Sequence, residues 1–233
     1  MREIVFDTET TGIGFADGHR IIEIGAVELI NKYRTGKNFH VYVNPERQVS
    51  EGAFKVHGIS DEFLKDKPVF ALVVAEFLDF IGDSKLIAHN AAFDMGFINH
   101  HFSQLGVPLI NSDRVIDTLD IARKKYPGAK NNLDALCARL NIDTSARIHH
   151  GALLDAELLA DCYSEMMGAG SKQRNLMFLA GDPVEATKVE VQVTLGPTSQ
   201  YYEPRDFAPS PEELAAHEKF VESLKNPLWK QAN

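Results

Sequence analysis

The sequence of 233 residues predicts an α/β fold in which a mixed sheet of five strands carries helices on its faces. Three apolar, β-prone runs follow one another at about 2–9, 20–30 and 38–44, which indicates a meander. Beyond these runs, strand-like segments alternate with amphipathic helical patterns, an order typical of helices packed on a sheet. A change of composition after Gly168 predicts a separate, flexible C-terminal tail.

The remaining elements follow from hydrophobic periodicity, which is two residues in a half-buried strand and 3.6 in an amphipathic helix. The pattern predicts, in order, a helix at about 72–81, a strand at 85–89, a helix at 91–105, a strand at 114–116, and helices at 117–125, 132–140 and 152–167. The region that carries VHGIS, before the first of these helices, is assigned no element.

Residues 1–168 form the predicted domain, 169–182 a linker and 183–233 a tail, in which six of the ten prolines lie. One helix is predicted in the tail near 211–224, because Ser210 suits the N-cap and Pro211 the first helical position. Its apolar stripe and the tryptophan that follows it are Leu214, Val221, Leu224 and Trp229. Because so short a helix is not stable alone, we interpret it as a binding segment.

Composition narrows the classes of function. An apolar fraction of 44% supports a substantial core, and no run is long enough to predict a membrane span. The N-terminal residues enter a predicted strand directly, so we expect no secretory signal. Cys137 and Cys162 lie on apolar helix faces and are expected to be packed thiols, as in a reducing compartment. The net charge of −9 argues against long tracking along a nucleic acid, although not against gripping a strand end.

Two acids at the end of the first strand indicate a metal site. Asp7 and Glu9 are two residues apart, so both side chains point to the same face of the strand. Like charges this close repel unless a cation lies between them, and carboxylate oxygens suit Mg²⁺ or Mn²⁺. The alternative is a polar strand end without a ligand.

Two further acids lie on apolar helix stripes. Asp94 shares its stripe with Phe97, Ile98, Phe102 and Leu105, and Asp155 shares one with Leu158, Leu159, Cys162 and Met166. A buried carboxylate is costly unless it is compensated. Helix capping is the alternative for each residue alone, because both fall in a first turn. Four such acids together favour the metal site.

Three segments carry a resemblance to a known family. The motifs DTETTG at 7–12, HNAAFD at 89–94 and HHGALLDAE at 149–157 resemble those of the DEDDh 3′–5′ exonuclease superfamily. The spacing from His150 to Asp155 matches the histidine branch, since the tyrosine branch would have Tyr where Gly151 stands. VHGI at 56–59 and the overall spacing are similar to the epsilon (proofreading) subunits of bacterial DNA polymerase III.

The resemblance implies an RNase H-like fold and hydrolysis with two divalent ions, Mg²⁺ or Mn²⁺. It implies that Asp7 bridges both ions, that Glu9 and Asp155 complete one site, and that Asp94 serves the other. His150 is then the general base, because the unperturbed pKa of histidine lies near working pH. Only the position of the histidine in the family motif favours His150 over His149.

The resemblance also suggests contacts with the DNA 3′ end, and each has a plain structural alternative such as turn chemistry or core packing. The candidate substrate-binding residues are Thr10, Thr11, Gly12, His57, His89, Asn90 and Phe93.

Partners are implied as well. Residues 173–178 resemble the Q-x-x-L-x-F peptide that docks on the bacterial sliding clamp, with Gln173, Leu176, Met177 and Phe178 as its anchors. The tail is expected to bind the replicative polymerase subunit, and a small stabilising subunit is a further possible partner. These relations imply a cytoplasmic protein of the bacterial, nucleoid-associated replisome, with no membrane partner.

Two rival functions stay open. A stand-alone exonuclease of the same superfamily would trim RNA or single-stranded DNA ends with the same metal chemistry, but it would need neither a clamp peptide nor a long tail. A non-catalytic replicase scaffold would keep the fold without activity, and the complete set of acids and histidine argues against it.

Overall fold

The computed structural model describes residues 1–169. The predicted peptide at 173–178, the tail at 183–233 and its helix near 211–224, which carry the proposed clamp and polymerase contacts, lie outside the described residues. Within the described part of the chain, no helix combines the length and apolar character needed to cross a membrane.

Five strands form one mixed sheet, as predicted. They are β1 (Arg2–Thr10), β2 (Ile21–Ile30), β3 (Tyr33–Tyr42), β4 (Lys85–Ala88) and β5 (Val115–Asp117), in the spatial order β3-β2-β1-β4-β5. The first three strands pair antiparallel, while β4 pairs parallel with both β1 and β5. β3 begins earlier than predicted because Asn31 and Lys32, at φ 52 and 73, turn the chain directly from β2 into β3.

Seven α-helices lie within residues 1–169. They are α1 (Glu51–His57), α2 (Asp61–Leu64), α3 (Phe70–Ile81), α4 (Ala92–Leu105), α5 (Thr118–Lys125), α6 (Leu133–Leu140) and α7 (Ala152–Met166). Two of them, α1 and α2, fall in the region that was assigned no element. The side chains of Ser50 and Ser60 cap them by accepting hydrogen bonds from Ala53 N–H and Phe63 N–H. A serine followed by acids is the signal that would have found both helices.

The alternation of side chains along β1 separates two cores. Ile4 and Phe6 pack with α3 and α4 on one face of the sheet. Val5 points to the other face, where it packs with Leu159 and Tyr163 of α7. Asp7 and Glu9 continue the face of Val5, so the strand directs both acids toward α7.

Gly25 of β2 allows α7 to approach the sheet closely. It pairs with Asp7 in the β1–β2 register, and a Cβ at this position would lie 2.1 Å from the backbone nitrogen of Leu153. Any larger residue would therefore push the first turn of α7 away from the strand. This contact fixes Asp155, which lies in that turn, beside the end of β1.

Candidate active site

The structure brings the four predicted acids together at the carboxyl end of β1. Glu9, Asp94 and Asp155 are buried, with only 3% of Asp94 and 3% of Asp155 exposed. Burial is the largest influence on Asp7, whose pKa is raised well above its ordinary value, and the charges of Asp94, Glu9 and Asp155 raise it further. Each acid therefore opposes ionisation of the next.

The pKa values of two neighbouring carboxyl groups are also raised. Burial, followed by the charges of Asp155 and Glu23, raises the pKa of Glu9 to about 8. Burial raises the pKa of Asp94 to about 7, against the lowering effect of hydrogen bonds from Thr8. A divalent cation would remove this repulsion, so the donor set fits such an ion.

Asp94 is oriented both by the strand and by its own helix. Its Oδ1 accepts hydrogen bonds from the backbone N–H of Thr8 at 3.0 Å and from the Thr8 hydroxyl at 2.7 Å, and its carboxyl group also hydrogen-bonds with its own backbone. Asp94 and Asp155 lie in the first turns of their helices, but Ala91 occupies the N-cap of α4 and Gly151 that of α7. The predicted stripe of α4 is buried except for its last member, Leu105, which is exposed.

Arg147 was missed by the sequence analysis, although it lies within the site. Its Nε donates to Asp155 Oδ1 at 2.5 Å and its Nη2 to Asp155 Oδ2 at 2.7 Å. Its Nη1 donates to Asp134 of α6. The guanidinium thus holds the carboxylate of Asp155 by both oxygens, which is the bidentate geometry that arginine favours.

His150 stands at the opening of the site. Its Nδ1 lies 3.1 Å from Asp155 Oδ2 and 2.8 Å from Nη2 of Arg147, and its backbone N–H donates to Val56 O. His149 instead lies over Gly58 in the loop after α1. The histidine that touches the buried acid is therefore His150.

One group of three side chains could hold a metal ion. Single ligand atoms of Glu9, His150 and Asp155 lie within 4.8 Å of one another. Asp7 and Asp94 lie close enough to interact electrostatically with this group. The four carboxylates therefore provide oxygen ligands from β1, α4 and α7 around a single spot.

A cavity of about 320 Å³ opens beside these acids. Of the predicted substrate contacts, Thr10, Gly12, His57 and Phe93 line it, together with Glu9. Its apolar wall also includes three residues that the sequence analysis did not select, Ile13, Ala53 and Val56. The structure therefore gathers most of the candidates around one apolar pocket.

Thr11 does not line this pocket. Its hydroxyl lies 3.0 Å from Nδ1 of His19 and accepts a hydrogen bond from Arg20 N–H. Its backbone N–H donates to Arg20 O, and its carbonyl accepts from Ser50 N–H. Thr11 thus connects the end of β1 to the start of α1, which is a structural role.

His57 closes the inner side of the pocket at the end of α1. Only 5% of the residue is exposed, and its Nδ1 accepts a hydrogen bond from Ile59 N–H at 3.0 Å. Burial lowers its pKa. A hydrogen bond with the backbone of Thr10 acts on this pKa in the opposite direction.

His89 and Asn90 lie elsewhere. They border a different cavity, of about 570 Å³, together with Arg123 and Asn131. Nδ1 of His89 lies 2.9 Å from the Thr118 hydroxyl, and burial lowers the pKa of this histidine. The two residues are therefore separate from the pocket that contains His57.

The free thiols of Cys137 and Cys162 are buried with their sulfurs 3.6 Å apart. Both belong to the core that α6 and α7 form with α5. Their packing agrees with the prediction from the helical faces.

Comparison with known proteins identifies the family to which this chain belongs. A family model described as exonuclease (RNase T type) matches residues 4–163. DNA polymerase III subunit epsilon of Rickettsia felis is 46% identical over 227 residues, covering 96% of this chain and 97% of the relative. The epsilon subunit of Escherichia coli K12 is 48% identical over 240 residues, covering 98% and 97%.

Solved structures share the fold. Exonuclease X in complex with 5′-overhanging duplex DNA has a TM-score of 0.57 at 28% identity, covering 72% of this chain and 90% of that one. The nuclease domain of 3′hExo, a DEDDh family member bound to rAMP, has a TM-score of 0.63 at 21% identity, covering 72% and 92%. The sequence matches show that the chain belongs to the exonuclease family and, within it, to the epsilon subunits of DNA polymerase III.

Proposed function

We propose that this protein is the 3′–5′ exonuclease that removes mispaired 3′-terminal nucleotides from DNA, as the proofreading subunit of a bacterial replicase. The observation that carries the proposal is the convergence of four acids and His150 beside a nucleoside-sized pocket. The same chain is nearly half identical to epsilon subunits over almost its whole length. The products are 5′-mononucleotides.

Asp7, Glu9, Asp94 and Asp155 would hold two divalent ions, Mg²⁺ or Mn²⁺. When bound, such ions neutralise charge on the phosphate and favour a nucleophilic hydroxide near neutral pH. The protein contributes the orientation of its acids. Thr8 fixes Asp94 through two hydrogen bonds, and the close contact at Gly25 holds the first turn of α7 against β1.

His150 would take a proton from the attacking water, and Nε2 is the atom suited to do so. When Nδ1 carries the ring proton and donates it to Asp155 Oδ2, the lone pair of Nε2 is free to act as a base. Arg147 Nη2 competes for the same Nδ1, at 2.8 Å, and a hydrogen bond from it requires the other tautomer. Productive chemistry therefore needs the His150–Arg147 contact to open.

The apolar pocket of about 320 Å³ would receive the terminal nucleoside, with Thr10, Gly12, His57 and Phe93 against it. Stacking and apolar contact accept any base, so sequence specificity should be low. One strand end would enter the site, which would favour single-stranded or frayed DNA over a paired terminus.

Further contacts would place the enzyme in the replisome. Leu214, Val221, Leu224 and Trp229 would bind the polymerase subunit, and the peptide with Gln173, Leu176, Met177 and Phe178 would bind the sliding clamp. A small stabilising subunit is a further candidate partner. The protein would then act in the cytoplasm, at the nucleoid-associated replisome.

The test is digestion of three labelled substrates by the full chain: single-stranded DNA, a primer with a mispaired 3′ end, and RNA. We expect both DNA substrates to be cleaved with Mg²⁺ or Mn²⁺, and cleavage to stop with EDTA. Asp7→Ala should abolish cleavage while the protein stays folded. A clear preference for RNA would favour the stand-alone exonuclease, and absence of cleavage in every condition would favour the scaffold.

A further inference from the structure

Glu23 is a buried carboxylate beside the active site that none of the exonuclease motifs includes. It lies on β2 directly opposite Glu9 in the antiparallel register, so both side chains point to the face of the sheet that α7 covers. Only 2% of Glu23 is exposed. Its charge is among the causes that raise the pKa of both Glu9 and Asp7.

Two residues of β3 contact the carboxyl group of Glu23. Oε1 lies 2.7 Å from Nε2 of His40. Tyr42 pairs with Glu23 in the β2–β3 register, and burial, the charge of Glu23 and a hydrogen bond with Glu23 raise the pKa of the Tyr42 hydroxyl. Oε2 has no hydrogen-bond partner within the described part of the chain.

The charge of Glu23 also reaches the neighbouring pocket. Burial lowers the pKa of His57, while a hydrogen bond with the backbone of Thr10 and the charge of Glu23 raise it. Glu23 therefore lies close enough to act on the acids and on the pocket beside them.

Without a compensating cation, a carboxylate at the position of Glu23 destabilises the folded protein. Like charges directly opposite each other on neighbouring strands are destabilising, and a buried carboxylate loses its hydration. His40 contacts one oxygen of Glu23 at hydrogen-bond distance. A cation held by Glu9 would offset the negative charge of the carboxylate. Groups just outside a ligand shell tune a metal in this way.

We propose that Glu23 is a positioning residue of the metal centre, a fifth carboxylate that strengthens cation binding at Glu9 without touching the ion. His40 holds it in place from β3. The proposal rests on the metal-dependent function proposed above, and it adds a residue that the exonuclease motifs leave out.

The test compares Mn²⁺ binding by calorimetry in the full-length wild type, Glu23→Gln and Glu3→Gln. Glu3 is a matched control because it is buried on the same face of the sheet, is held by Lys32, and also has an Oε2 without a partner in the described residues. It lies at the opposite end of β1 from the site. We expect Glu23→Gln to weaken Mn²⁺ binding by about 10- to 100-fold and Glu3→Gln to leave it unchanged.

Two further measurements separate this role from a structural one. Without metal, Glu23→Gln should unfold at the same or a higher temperature than the wild type, because it removes repulsion. Its DNA cleavage should be slow at low Mn²⁺ and recover when Mn²⁺ is raised. Unchanged Mn²⁺ affinity in Glu23→Gln would overturn the proposal, as would a loss of activity that excess Mn²⁺ does not restore.

A measurement on the wild type covers the case in which Glu23→Gln does not fold. The carboxyl ¹³C resonance of Glu23 should shift when Mg²⁺ is added, while that of Glu3 should not. A Glu23 resonance that stays in place would reject the role. A wild type that binds no Mn²⁺ at all would instead overturn the metal-dependent function.

Discussion

The guanidinium of Arg147 is paired with both carboxylate oxygens of Asp155, at 2.5 and 2.7 Å. Only 8% of the Arg147 side chain and 4% of that of Asp155 are exposed. Since Asp155 is one of the four acids proposed to hold metal, the guanidinium occupies oxygens that an ion would use. Metal binding and the Arg147–Asp155 pair are therefore in competition.

Replacing Arg147 with glutamine should separate these effects. Without metal, Arg147→Gln should lower the free energy of unfolding by about 3 kcal/mol, because it leaves the buried carboxylate of Asp155 without its partner. Binding of Mn²⁺ should become several-fold tighter, because the ion no longer displaces a cation. Thermal unfolding with EDTA and Mn²⁺ calorimetry measure the two quantities.

Arg139→Gln is a suitable control for Arg147→Gln. Arg139 lies on α6, where its guanidinium donates to Asn131 Oδ1 and to the carbonyl of Lys130, and it contacts none of the four acids. Mn²⁺ affinity should be unchanged in this variant. Weaker Mn²⁺ binding in Arg147→Gln would mean that the guanidinium supports the metal-loaded site rather than competing with the ion.

The raised pKa values predict how stability depends on pH. Glu9 and Asp94, with pKa values of about 8 and about 7, bind protons more tightly in the folded than in the unfolded protein. Their contribution to stability is fully present below the unfolded values near 4 and is lost as pH rises through 7 to 8. In EDTA, the unfolding temperature should therefore fall between pH 5 and pH 8.

Saturating Mg²⁺ or Mn²⁺ should reverse that trend, because the ion favours the ionised carboxylates. Asp7→Asn should unfold at a higher temperature than the wild type at pH 8 in EDTA and should show a weaker dependence on pH. A wild-type unfolding temperature that rises between pH 5 and pH 8 in EDTA would show that the four acids do not repel one another as their burial implies.

The two neighbouring histidines offer a direct test of the general base. His150→Ala should lower turnover by about 10²- to 10⁴-fold, with a much smaller change in the affinity for Mn²⁺ and DNA. His149→Ala should be mild, because this side chain lies over Gly58 rather than on Asp155. Single-turnover cleavage rates and Mn²⁺ calorimetry on both variants decide the assignment. A large loss of turnover in His149→Ala with a small loss in His150→Ala would assign the general base to His149.

Periodicity predicted all five strands and five of the seven α-helices of residues 1–169. The acids of β1, α4 and α7 were found because a carboxylate in an apolar pattern is conspicuous. Helices α1 and α2 were missed because they are short and their stripes are weak, even though Ser50 and Ser60 signal their starts.

Contacts between elements distant in the sequence could not be predicted. Nothing in the segment around Arg147 distinguishes a buried partner of Asp155 from an exposed arginine, since the pairing depends on how that loop packs on α7. Glu23 fits an ordinary strand pattern, and its place opposite Glu9 follows from the register of β1 and β2. His89 follows β4, but its ring contacts Thr118 and borders a different cavity from the one that contains His57.

Residues 183–233 would tether the exonuclease domain to the polymerase subunit. A net charge of −9, together with the proposed grip on only the strand end, implies weak affinity of the isolated protein for DNA. A flexible connection to a polymerase already on the primer replaces a bimolecular encounter with an effective concentration that reaches about the millimolar range. The tail should therefore control how often a mispaired end is cleaved, without changing the chemistry.

Trp229→Ala, alone or with Leu214→Ala and Val221→Ala, should weaken binding to the polymerase subunit. Removal of a mispaired nucleotide within the assembled replicase should then slow, while hydrolysis of a free single-stranded oligonucleotide stays at the wild-type rate. Replacing Leu176, Met177 and Phe178 with alanine is the matched control, because it should abolish clamp binding and leave polymerase binding intact. Both cleavage rates are measured on each variant. Equal losses on the two substrates would show that the tail acts on the active site itself, which would contradict the tethering role.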